Sequence, residues 1–183
     1  TCKFFQDKTE PNFLNPALIF TPDMYSKKIG ILREAKFPPD ARVPLVPAQI
    51  EQLKKQYTEI EILVQPGKGR CYANYEFEER GIKLQEDLSM CDILLGVKEV
   101  PYDLLINNKT YLFFSHTIKK QAQNKKLLQM LLQKNITMVD YECLKNDKGE
   151  VEQKLLISDK TSEGFMLSNE GVKLVLKKKA MKI

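Results

Sequence analysis

Cys91-Asp-Ile-Leu-Leu-Gly-Val-Lys98 and, one connection later, Thr110-Tyr-Leu-Phe-Phe-Ser-His116 are short apolar runs that each end on a basic side chain. Both are brief, rich in β-formers and without polar alternation, so they read as strands covered on both faces. Such strands belong to open α/β sheets, which bind ligands in a crevice outside the carboxyl ends of the strands. Lys98 and the chain's one histidine, His116, then project into that crevice from neighbouring strands, where they can act as a proton-transfer pair. Spacing alone leaves an alternative open: a partly buried, hydrogen-bonded histidine beside a surface lysine.

Outward from these runs the same rhythm continues. Strand-like runs cover 29–33, 60–65, 92–98, 111–116 and 136–141. Helical segments fall at 47–57, where Pro47 suits the first turn, at 75–80, closed by Gly81, and at 119–134. Ile118, Ala122, Leu127, Leu128, Leu131 and Leu132 form a stripe at helical spacing, expected to pack into the core. Short β-runs alternating with helices predict one mostly parallel sheet with helices on both faces.

Two flanking segments break the rhythm. Residues 1–27 carry Phe4, Phe5, Phe13, Tyr25 and three prolines with no steady period, and read as an extended arm whose aromatics wrap their own domain or dock on a partner. After the turn Asn146-Asp-Lys-Gly149, residues 150–183 offer one apolar run at 155–157 and a helical stretch over 168–179 that contains Gly171. The division is therefore arm 1–27, domain 28–149 and extension 150–183.

Composition sets wide bounds. A chain of 183 residues, 43% apolar, suffices for one compact core. Its apolar runs are far short of the roughly 20 residues needed to span a bilayer. The net charge of +5 is dispersed except at the lysine-rich end, 173–182, which either frays in solvent or holds an acidic partner. Basic residues are not interleaved with aromatics on any one element, which disfavours nucleic acid. Four separated cysteines, Cys2, Cys71, Cys91 and Cys143, suggest a reducing compartment and neither zinc nor a disulfide framework. Thr1 fits a processed precursor or a trimmed chain, and the expected location is mitochondrial, with the cytoplasm as the alternative.

Leu95-Gly-Val-Lys-Glu-Val-Pro101, Lys109-Thr-Tyr-Leu-Phe-Phe-Ser-His-Thr-Ile-Lys-Lys120 and Asp140-Tyr-Glu142 resemble the amino-terminal domain of lysine-forming saccharopine dehydrogenase, also called lysine ketoglutarate reductase. More distantly the chain is similar to alanine dehydrogenase and the first domain of nicotinamide nucleotide transhydrogenase. Gly30-Ile-Leu-Arg-Glu-Ala-Lys36, Asp40-Ala-Arg-Val-Pro-Leu-Val-Pro47, Val64-Gln-Pro66 and Gln85-Glu-Asp-Leu88 follow in the family's order, so the resemblance covers about 28–149. It implies a single Rossmann-like (flavodoxin-like) α/β domain. It also implies Lys98 and His116 as the acid–base pair, Glu99 and Glu142 tuning their pKa values, and Arg33 and Arg42 near substrate carboxylates, where a guanidinium gives two parallel hydrogen bonds. Arg42 has a loop salt bridge as its plain alternative, and Lys36 reads as a solvated surface residue. Val46 stands where relatives usually have threonine, so the following helix should start about 1 kcal/mol weaker.

The family's hydride chemistry also needs a nicotinamide site. Gly-x-Gly-x-x-Gly occurs nowhere in these residues, and Gly67-Lys-Gly69-Arg-Cys-Tyr72 lacks the third glycine. No cofactor or metal is therefore expected on this chain, and NAD(P) enters only with a separate dinucleotide domain. The chain then has two readings. One is a non-catalytic accessory subunit of a larger assembly, attached to other protein subunits through 1–27 and 173–183. The other is the catalytic half, or a fragment, of a saccharopine-type dehydrogenase.

Overall fold

The computed structural model describes residues 27–38 and 40–144, together with two short strands at 156–157 and 166–167. The expected arm over 1–27, save Lys27, the expected turn at 146–149, the expected helix over 168–179 and the lysine-rich end lie outside the described residues.

Six strands form one sheet: β1 (Lys27–Ile31), β2 (Ile60–Val64), β3 (Lys83–Leu84), β4 (Ile93–Lys98), β5 (Thr110–Phe114) and β6 (Thr137–Asp140). Their order is β3-β2-β1-β4-β5-β6, and every neighbouring pair is parallel. This is the Rossmann order; without the two-residue β3 it is the flavodoxin order. β3 has no sequence signal of its own, since a pair such as Lys83-Leu84 shows no period. A separate antiparallel pair joins β7 (Leu156–Ile157) and β8 (Met166–Leu167), and β7 falls on the expected run at 155–157.

The strands lack polar alternation because both faces are covered. One face buries Ile29, Ile31, Ile62, Val64, Ile93, Leu95 and Leu112 under Ile50 and Leu53 of α1 (Pro47–Gln56) and Phe77 of α2 (Asn74–Glu78). The other buries Leu63, Leu94, Tyr111 and Phe113 under Leu127 and Leu131 of α3 (Lys125–Gln133). Gly30 belongs to this second face: a Cβ there would stand 2.8 Å from Leu94 Cδ2 and 3.0 Å from Leu88 Cδ1, so any larger residue would push those leucine ends aside.

α1 starts on Val46, whose side chain offers no cap. Gln49 Oε1 instead accepts from the Val46 N–H at 3.3 Å, and basic Lys54 and Lys55 occupy the last turn, where the helix dipole favours them.

The expected helix over 119–134 is shorter and begins later. His116 and Lys120 both take left-handed backbone (φ 53° each), which a continuous helix excludes, and the chain passes through 3-10 turns at Thr117–Lys119 and Ala122–Asn124 before α3. The stripe expected in the core is accordingly split. Leu127 and Leu131 are buried, whereas Ala122, Ile118, Leu128 and Leu132 are exposed, Leu132 by 74%. Residues one position round the helix turn away from a sheet that meets only a narrow face.

Leu131→Ala should therefore lower unfolding free energy by about 2–5 kcal/mol, and Leu132→Ala should change it by about 0.5 kcal/mol or less. Urea titration followed by circular dichroism separates the two; equal losses would contradict this packing.

Candidate functional site

Where β1 and β4 lie side by side, their connections run to opposite halves of the sheet, β1 toward β2 and β4 toward β5. The loops part there, which opens a crevice at the carboxyl edge. Its volume is about 490 Å³, in the usual range for small-molecule sites, and its lining includes Lys36, Phe37, Glu99, Tyr102, His116 and Asn124.

His116 is held from several sides. It stands two residues beyond β5 in left-handed backbone, and Asn124 Nδ2 donates to its carbonyl at 3.0 Å. Its ring stacks on Phe114, with centroids 6.3 Å apart and planes 18° from parallel. Just before it, Asp140 at the end of β6 clips the strand ends: Oδ2 accepts from the Ser115 N–H at 3.3 Å and from the Ser115 hydroxyl, and Oδ1 accepts from the Glu142 N–H at 2.9 Å. The 3-10 turn Tyr141–Cys143 that this clip initiates carries Glu142 to the imidazole.

Glu142 Oε1 lies 3.0 Å from His116 Nδ1 and 2.8 Å from Lys119 Nζ, and Lys119 Nζ is 3.3 Å from the same Nδ1. Nδ1 cannot both donate to the carboxylate and accept from the ammonium. The shorter contact and the charge of the carboxylate favour Nδ1–H donating to Glu142, which leaves Nε2 as the basic nitrogen. Lys119 first, then His116, holds the Glu142 carboxyl below its ordinary value.

On the β4 side, Lys98 Nζ lies 3.3 Å from Asp40 Oδ2. Asp40 also accepts a bidentate pair from Arg42, Nε at 2.9 Å and Nη2 at 2.6 Å, and that guanidinium holds its carboxyl well below the usual carboxylate range. Lys36 pairs with Glu99; burial, then the charge of Lys98, pulls the Lys36 ammonium down. Glu34 accepts from two consecutive amides of β4, and its burial pushes its carboxyl up.

The expected residues thus sort into three groups. Lys98, His116 and Glu142 stand at or just beyond the ends of three adjacent strands, and Glu99 lines the crevice with His116. Arg42 makes the loop salt bridge. Arg33 donates to Glu86 through both terminal nitrogens, at 2.7 and 3.2 Å, and to the Pro66 carbonyl at 2.7 Å, across β1 and β2. Lys36 is exposed at the surface as expected, yet it is ion-paired and lines the crevice. Sequence reading passed over Asp40, Glu34, Lys119 and Asp140. Asp140 carried a usable signal, since it ends an apolar run as Lys98 does, while Glu34 and Asp40 sit in an aperiodic loop.

The residues here do not fit a dinucleotide pyrophosphate. That group needs glycines directly after β1 and an open helix start. β1 instead continues through Leu32, whose N–H donates to Leu95 O at 2.8 Å, then Arg33 and Glu34, and α1 opens on buried Val46 and Pro47. Among the described residues no group of three or more His, Cys, Asp or Glu side chains could hold a metal ion, and no helix is long and apolar enough to cross a membrane.

Two outcomes test this geometry. In wild type the neutral histidine should carry its proton on Nδ1, read by long-range ¹⁵N–¹H correlation; Glu142→Ala leaves Lys119 as the donor to Nδ1 and should move the proton to Nε2. An unchanged tautomer would contradict the Glu142 contact. Asp40 has a folded pKa below its unfolded value of about 3.9, so its stabilisation is present above that value and lost as pH falls toward the folded pKa. Asp40→Asn should therefore be less stable than wild type at pH 7, by a difference that shrinks below about pH 4; a difference independent of pH would oppose the ion pair.

Residues 30–158 match the family model described as alanine dehydrogenase/PNT, N-terminal domain. Alpha-aminoadipic semialdehyde synthase of Arabidopsis thaliana is 35% identical over 126 residues, which is 67% of this chain and 12% of that protein. Mitochondrial alpha-aminoadipic semialdehyde synthase of Rattus norvegicus is 38% identical over 110 residues, 60% of this chain and again 12% of the relative. The chain thus spans about an eighth of the length of the curated relatives it matches. Among solved structures, an L-alanine dehydrogenase superposes with a TM-score of 0.57 at 20% identity, covering 68% of this chain and 35% of its own. The transhydrogenase of Sinorhizobium meliloti gives 0.56 at 16%, covering 66% and 36%. These two speak to the fold, and the family match to descent: the chain belongs to the alanine dehydrogenase/PNT N-terminal-domain family.

Proposed function

We propose that this chain is the substrate-side domain of an alpha-aminoadipic semialdehyde synthase, taking part in the reductive joining of lysine to 2-oxoglutarate. The observation that carries the reading is the His116–Glu142 dyad at the crevice, with the Lys98–Asp40–Arg42 chain on the adjacent strand end. A domain kept only as a structural block has no need to hold an imidazole in strained backbone with a carboxylate on Nδ1.

In this reading His116 Nε2 and Lys98 Nζ exchange protons with the amine and carbinolamine as the imine forms. Glu142 fixes the imidazole tautomer, and Asp40 keeps the Lys98 ammonium in place. Lys36, paired with Glu99 at the crevice wall, offers a cation to a substrate carboxylate, which competes with Glu99 for it. The reducing equivalent comes from NAD(P)H on a dinucleotide domain elsewhere in the enzyme. A mitochondrial location is part of the proposal and is supported by the names of the rat, mouse and bovine relatives. The accessory-subunit reading rests on 1–27 and 173–183, which apart from Lys27 lie outside the described residues.

The native protein that contains this domain, isolated through it, should oxidise NADPH or NADH only when lysine and 2-oxoglutarate are both present. His116→Asn should lower kcat by about 10²–10⁴-fold. A folded native protein with no lysine-dependent turnover would refute the enzyme reading and leave the accessory one.

A further inference from the structure

β4 is not a regular strand at its carboxyl end. Opposite β5, the step from Leu95 to Lys98 is matched by the shorter step from Leu112 to Phe114, so β4 carries an extra residue there, a bulge. A bulge changes the phase of side-chain alternation and so re-aims the next side chain along the strand, here Lys98. It also leaves backbone donors without ladder partners. β1 offers none, because its last bond to β4 is the Leu32 N–H to Leu95 O.

Glu34 takes both donors. Its Oε1 accepts from the Val97 N–H at 2.7 Å and its Oε2 from the Lys98 N–H at 2.9 Å. Successive amides of a flat strand point to opposite sides, so one carboxylate can bind both only in the bulged conformation. No neutral side chain is equivalent: glutamine presents one oxygen and one NH₂ group, and the NH₂ would confront an N–H.

We propose that Glu34 is a positioning residue that fixes the β4 bulge and thereby directs the Lys98 ammonium to Asp40 at the carboxyl edge of the sheet. Glu34 need not touch substrate, and it acts through the backbone of the residue it aims. The proposal rests on the proposed function only for the use made of Lys98. The position of Lys98 is measured independently of turnover, so loss of turnover with a correct Lys98 position counts against the reaction and not against the positioning.

The test is NMR of the full chain labelled with ¹³C and ¹⁵N, following the Val97 and Lys98 amides and the Lys98 Cε. In Glu34→Gln, with circular dichroism unchanged, both amides should shift, and the Lys98 Cε signal should move to the position it takes in Asp40→Asn, since in both variants the ammonium has left the carboxylate. A Lys98 Cε signal that stays at its wild-type position would overturn the proposal.

Should Glu34→Gln fail to fold, acid titration of wild type decides. Asp40, Arg42 and Tyr141 are the charged or titratable groups that act on Glu34 or respond to it, besides the Lys98 backbone it binds. Asp40, held low by Arg42, stays ionised while Glu34 takes up its proton. The two amides and the Lys98 Cε should then move with one midpoint; amides that titrate while the Cε does not would overturn the proposal.

Discussion

A parallel sheet has an unfinished edge: where the strands stop pairing, backbone donors continue into the loops and must be satisfied by something other than a neighbouring strand. In this domain a half-buried and a buried carboxylate do it. Glu34 takes the amides at the end of β4, and Asp140 takes the Ser115 and Glu142 amides across the ends of β5 and β6. An unpaired buried N–H costs about 1–3 kcal/mol, so these clips decide the backbone course on which Lys98, His116 and Glu142 are mounted. The geometry of the crevice depends on the termination of the ladder more than on the ladder itself.

Charge along the carboxyl edge of the sheet is arranged mostly in chains rather than isolated pairs. Arg42, Asp40 and Lys98 form one, Lys119, Glu142 and His116 another, and Lys36 with Glu99 stands beside the crevice. In the two chains the anion is shared, so a ligand carboxylate or ammonium can exchange into the network by displacing one partner while the other keeps the remaining charge compensated. That suits an amino acid, which carries both charges, and equally an oxo acid, which carries carboxylates alone. Phe114 joins the imidazole to Tyr141, meeting the tyrosine ring at a centroid distance of 5.2 Å.

Much of this was legible in the sequence because burial on both faces removes polar residues from a strand and leaves plain apolar runs. β1, β2, β4, β5 and β6 were found that way, and the basic residues ending two of those runs marked the crevice. β3 escaped because two residues carry no period. The start of α3 is misplaced by sequence because Ile118, Leu128 and Leu132 imitate a buried stripe, while the left-handed backbone at Lys120 that interrupts it has no signature in residue type. Asp40 and Glu34 escaped for a deeper reason. Arg42 apart, which stands two residues from Asp40, their partners are 58 to 64 residues away in the chain, at Lys98 and Val97, and local pattern carries no information about such pairings. Arg33, expected near substrate, illustrates the converse: its residue type suits a carboxylate, and the fold supplies Glu86.

The central claim, that the crevice at the β1/β4 parting receives the amino-acid and oxo-acid substrates, is tested most directly by ¹⁵N–¹H chemical-shift mapping of the full chain titrated with 2-oxoglutarate and with lysine. Saturable shifts concentrated at Lys36, Glu99, His116 and Asn124, with α1 and the β3 edge unmoved, are the predicted result. Shifts confined to another surface, or none from either ligand at millimolar concentration, would contradict it.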